Sequence, residues 1–112
     1  MNKLEILIQG RVEDLRLSTE SQTWKHLAFI DTDKVRNDKC WDRAMEYSDR
    51  GRTVREFSHK LVGEKFVKSS SDAVLFDPRV TAALMLWSAE RKQAIETLDR
   101  WESAQYRLKG VA

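Results

Sequence analysis

The chain has 112 residues, of which 41% are apolar and 34% charged, with 20 Lys and Arg against 18 Asp and Glu. This is the size of one globular domain and is too apolar for a disordered chain, while no apolar run approaches the roughly 18 to 20 residues of a bilayer span. A net charge of +2 is too small by itself to select a nucleic-acid or membrane partner.

The reading is therefore one soluble helical domain over residues 1–112. Charge is unevenly spread: residues 50–68 hold Arg50, Arg52, Arg55, Lys60, Lys65 and Lys68 against Glu56 and Glu64, a local balance of +4. A lone cysteine, Cys40, forms no internal disulfide, and no signal-peptide pattern opens the chain, so a reducing, cytoplasmic setting is expected. Met1 to Ala112 reads as a small complete product.

Four glycines and one proline are too few for a sandwich or barrel, which turns about every 8 to 12 residues, so the expected fold is all-α. Leu4, Ile6 and Ile8 alternate as in a strand, whereas Leu4, Leu7, Ile8, Val12 and Leu15 fit a helix face interrupted by Gly10. Helix is preferred, because a lone strand would lack a partner. Thr19-Glu20-Ser21-Gln22 has capping-box spacing ahead of Trp24, Leu27, Ala28 and Ile30, and Asp31-Thr32-Asp33 ends that helix.

A third helix is predicted over Asp38–Asp49, with Asn37 as its N-cap, Trp41, Ala44 and Met45 inward, and Gly51 closing it. Thr53-Val54-Arg55-Glu56 forms a second capping box and opens a helix to Phe66, with Val54, Phe57, Leu61 and Lys65 inward and a sharp corner at Gly51. Residues 68–72 read as a loop. Asp77-Pro78 then pairs an N-cap with proline at the first helical position, and nothing stops the helix before Gly110. The predicted C-terminal helix, about 78–109, would be a rod of roughly 48 Å. Its seam is Val80, Leu84, Trp87, Arg91, Ala94, Leu98, Trp101, Gln105 and Leu108 in steps of four and three. Residues 80–87 are apolar all round, which predicts central burial.

Catalytic chemistry finds little footing. Cys40, His26 and His59 lie on predicted helices with no nucleophile elbow, and Cys40 reads better as a small apolar residue beside Trp41. A calcium loop starting at Asp31 would need glycine where Arg36 stands, no Cys or His pair has zinc spacing, and no glycine-rich phosphate loop exists. No enzyme, metal or cofactor is expected.

Two binding readings remain. The first is a bundle of four to five helices acting as a small intracellular regulator or adaptor, binding a larger protein and dimerising, with Ala94, Leu98, Trp101 and Leu108 as the interaction surface. Its scale also suits an accessory protein of a phage or mobile element. The alternative is nucleic-acid binding through Arg50, Arg52, Arg55, His59, Lys60, Lys65 and Lys68, with arginine forks matched to phosphates. Glu56 within that stripe and the missing recognition helix after Gly63 weaken it.

Overall fold

The computed structural model describes residues 1–108, with side chains through Arg100 and at Ser103. These residues form α1 (Lys3–Ile30), α2 (Lys34–Val62), α3 (Glu64–Ser69), α4 (Ser71–Leu75) and α5 (Pro78–Leu108), with no strand among them. The fold is the expected all-α bundle ending in a long helix, and Leu4–Ile8 is helical.

Three expected breaks are absent. Gly10 and the Thr19–Gln22 box lie inside α1, and Gly51 with the Thr53–Glu56 box lies inside α2, so the corner at Gly51 is replaced by straight helix. The threonines do not cap. Thr19 Oγ1 donates to the carbonyl of Leu15 (2.9 Å) and Thr53 Oγ1 to that of Asp49 (2.8 Å), bonding back to the preceding turn as a mid-helix hydroxyl does. Caps are found instead at the real ends: Asn2 accepts from the amide of Glu5, and Asp33 from that of Arg36. Between α1 and α2, Arg36 reaches back to Asp31 at 3.0 Å and fastens the turn.

The two glycines serve the contact between α1 and α2. These helices run antiparallel, and the contacts step by seven residues along α2 against seven, seven and finally four back along α1. Asn37 donates its side-chain amide to the carbonyl of Ala28, Ser21 Oγ donates to that of Ala44 at 2.7 Å, Gly51 lies against Asp14 and Leu17, and Ser58 against Gly10. Small residues at this spacing let two backbones approach closely along their whole length. Ala28, Ala44, Ser21, Gly51 and Ser58 are buried in the seam.

This close approach corrects the expected inner face of α2. The residues facing α1 are Ala44, Gly51, Ser58 and Val62, whereas Phe57 and Leu61 are 62% and 58% exposed and Met45 is also outside. Large side chains would hold the backbones apart, so they flank the seam rather than fill it.

Gly63, at φ +89°, ends α2 in a conformation that a Cβ would strain. The expected loop at 68–72 is instead two short helices meeting at Ser70, whose hydroxyl donates to the carbonyl of Phe66 (2.6 Å). They carry the chain across the end of the hairpin, so that α5 begins beside the N-terminus of α1 and runs parallel to it. Asp77 caps α5 as expected, accepting from the amide of Arg79, and Arg79 forms a two-pronged pair with Glu5 across the helices. Ile8, Leu15 and Val80 form the buried core, with Leu4, Val12, Val74, Ala83 and Leu84 around it.

Residues 80–87 are not buried all round: Met85 is 69% and Leu86 53% exposed, because α5 packs mainly on α1, with α4 beside its start, and makes no substantial contact with α2. The molecule is correspondingly drawn out, 59 × 26 × 18 Å, with a radius of gyration of 17.9 Å.

Gly51→Ala tests the close seam. An added Cβ would lie 2.8 Å from Asp14 Oδ1 and 3.1 Å from the Asp14 carbonyl oxygen. Alanine should gain up to about 1 kcal/mol of helix propensity, yet overpacking of about 1–3 kcal/mol should prevail. Urea unfolding should therefore show net destabilisation; a more stable variant would mean that the helices stand further apart.

A second prediction concerns acid. Hydrogen bonds from Arg79 hold the carboxyls of Glu5 and Asp77 below their ordinary values of 4.5 and 3.8. A carboxyl lowered in the folded state adds stability above its unfolded value and loses that addition as pH falls through the folded one. The stability gap between the parent and Arg79→Ala should be full above about pH 5 and should close on further acidification, read as melting temperature. A gap that is constant with pH would show that the ion pairs do not contribute.

Candidate functional site

The interaction residues expected on α5 turn toward α1. Ala94 and Leu98 are half-buried and line a groove of about 310 Å³ with Gln22, His26 and Phe29 of α1. They lie beside the far half of α1. The side chains of Trp101 and Leu108 lie outside the described residues.

The basic residues of 50–68 are divided by the seam. Arg50 stacks on Tyr47 on one flank, while Arg52, Arg55 and His59 stand on the other, toward α5. Several already have carboxylate partners: Arg52 with Asp49 at 3.0 Å, Arg55 with Asp14 at 3.3 Å and Lys68 with Glu64 at 3.2 Å. His59 and Lys60 are in the last turns of α2, and Lys65 and Lys68 belong to α3 beyond the bend at Gly63. The residues therefore do not form one continuous stripe along one helix.

A different arrangement brings residues together. Because α2 and α5 both pack on α1 but not on each other, a trough lies between them with α1 as its floor. At one end all five helices contribute to a concavity of about 510 Å³, where Leu7, Val67, Val74, Leu75 and Val80 supply apolar walls. Arg11, Arg55 and His59 stand at this concavity, and Glu56 and Ser71 complete its rim. A middle section of about 300 Å³ shares Arg11 and Arg55 and adds Ser18, Ser48, Arg52, Leu84 and Trp87. Trp87 is shared in turn with the groove at Ala94 and Leu98, where Arg91 stacks on its ring at 5.4 Å.

At the centre of the trough, Asp14 has only 8% of its side chain exposed and is held between two guanidinium groups. Arg11 donates to it from the same helix at 3.0 Å, and Arg55 lies at 3.3 Å from across the seam. A buried carboxylate needs such partners to offset its lost hydration. One carboxylate against two arginines leaves the centre of the trough positive.

Arg11, Asp14 and the trough itself are absent from the sequence reading. The pairing of Asp14 with Arg55 joins positions 41 residues apart in sequence and leaves no local period. A signal did exist in the seven-residue recurrence of small or polar residues at Asn37, Ala44, Gly51 and Ser58, which marks a close helix contact. Among the described residues no cluster of three or more His, Cys, Asp or Glu could hold a metal, and no helix is long and apolar enough to cross a membrane.

Asp14→Ala should destabilise the fold by about 2 kcal/mol, since it strands two partly buried guanidiniums. Combining it with Arg55→Leu should cost less than the sum of the two single changes, as a double-mutant cycle in urea would show. Strict additivity would mean that the pair is not coupled.

Comparison with protein-family models, with curated proteins and with solved structures gives no match to this chain.

Proposed function

We propose that this protein is a non-enzymatic regulator or adaptor that works by binding a surface on a larger protein. The observation behind this reading is the amount of surface left open. The accessible area is 7966 Å², whereas a folded monomer of 13.1 kDa would be expected to expose about 6,400 Å². The excess, about 1,600 Å², is about twice the roughly 800 Å² that one partner buries at a standard protein–protein interface. Much of it is apolar, with Phe57, Leu61, Phe76, Met85, Leu86 and Ile95 exposed. Tethering such residues on rigid helices suits recognition of a partner, with little ordering entropy left to lose on binding.

Nucleic-acid binding through the basic segment is the weaker reading. Arg52, Arg55 and Lys68 would have to leave carboxylates to meet phosphates, and the remaining cations are spread over two elements. A surface built for phosphate shows steep salt dependence, which gives the discriminating measurement.

The test is light-scattering mass of the purified chain at low and high salt, with and without a DNA duplex, together with affinity capture by the immobilised chain. A retained protein, or a second copy of the chain, is expected. Retention should weaken at least tenfold in Leu98→Ala with Trp101→Ala, while circular dichroism stays unchanged. A mass of one chain under every condition with nothing specifically retained would overturn the reading, and a rise with DNA that salt reverses would transfer it to nucleic acid.

A further inference from the structure

We infer that the trough between α2 and α5 is the docking groove and that its occupant is an acidic amphipathic helix of about 18 residues from a different protein. The inference rests on the protein-binding reading above and names the partner's chemistry. Three observations carry it.

The first is shape. In an up-down-up arrangement of three long helices, α2 and α5 both lie on α1 and leave the space between them unfilled. Two sections lie between α2 and α5 and join through Arg11 and Arg55, and a third, lined by α1 and α5, continues from them through Trp87. From Val80 to Leu98 the groove follows 18 residue steps along α5, about 27 Å at 1.5 Å per step, the length of an equally long helix. A fourth helix laid there would complete a bundle and cover the half-exposed apolar flanks of α1 and α5.

The second is the apolar lining. Leu7 of the floor and Val74, Val80, Leu84, Trp87 and Leu98 of the walls recur along the trough, so the occupant needs an apolar stripe at helical spacing. A duplex, whose outer surface is a row of phosphates, has nothing to place against such a lining.

The third is charge. The walls carry Arg11, Lys25, Arg52, Arg55 and Arg91 against Asp14, Glu56 and Asp49, the partner of Arg52, an excess of two positive charges. The positive groups stand at the edges of an apolar lining, which calls for carboxylates on the shoulders of the occupant's stripe. A second copy is a poorer source of them: the charges of Lys, Arg, Asp and Glu sum to zero on α1, +3 on α2 and +1 on α5, so none of the long helices is acidic over its whole length.

The inference is tested with a displayed library of 18-residue helices in which leucine is fixed at the a and d positions and every other position is random, selected against the intact chain. Enriched sequences are expected to be strongly acidic. A synthetic peptide of the consensus should bind with an affinity that falls as salt rises, should alter the fluorescence of Trp87, and should lose at least tenfold in affinity with Arg52→Glu plus Arg91→Glu. Both arginines are exposed, so the double variant should keep its helicity; Ala94→Trp, which blocks the groove, gives an independent loss. Enrichment of neutral or basic helices, acidic binders indifferent to both variants, competition by a DNA duplex for the same groove, or no enrichment would each overturn the inference. The protein-binding reading is judged separately, by captured partner and mass, and would survive any of these results if a partner were still retained.

Discussion

Everything else in this molecule is arranged around the short distance between α1 and α2. Two helices of 28 and 29 residues lie against each other through Ala28, Ser21 and Gly10 on one side and Ala44, Gly51 and Ser58 on the other. Such a seam gains little per side chain from apolar burial and much from continuous contact between backbones, because dispersion falls off steeply with any gap. Polar groups can be admitted where they are satisfied locally, as Ser21 is by the carbonyl of Ala44 and Asn37 by that of Ala28. No buried side-chain polar atom among the described residues lacks a partner.

The exposed surface follows from the same constraint. A seam lined with small residues has no room for Phe57, Leu61 or Met45, which stand outside it. The core proper forms only where α5 joins the hairpin, around Ile8, Leu15 and Val80. With α5 seated mainly on α1, the space between α2 and α5 becomes a groove that is apolar at its base and basic at its edges. The structure thus separates two kinds of contact, one narrow and polar-tolerant that fixes the hairpin, the other wide and incomplete.

What the sequence disclosed depended on how local the relevant physics was. The start of α5 was legible because Asp77 and Pro78 act within one turn, and helical content was legible from sparse glycine and proline. The breaks at Thr19, Gly51 and Thr53 were misread because each residue type has a second use. A threonine can bond back to its own helix, and a glycine can be selected for a neighbour's closeness instead of for a turn. Nothing adjacent in the chain distinguishes these uses; the partner helix does. The trough was harder still, since Arg11, Asp14 and Arg55 come together only after the hairpin has closed. The apolar spacing of Ala94 and Leu98 was legible in the sequence, but the side they face was set by the parallel placement of α5.

That parallel placement also bears on the order in which the structure is built. The hairpin of α1 and α2 is joined by a three-residue turn, and its contacts spread outward from there by zippering, each step closing only a short additional loop. The junction of α5 with α1 is different: Glu5 meets Arg79 across 74 residues, so nearly the whole preceding chain must be ordered before it forms. Loop closure of that length carries a larger entropic cost, and its reward is a contact mainly with α1. On that ground α5 is expected to detach before the hairpin opens, with amides in the Ala28–Ala44–Gly51 seam exchanging last with solvent deuterium. A helix that left and returned while its support stayed folded would widen and narrow the groove beside it, so the width of the groove is tied to the stability of that one junction.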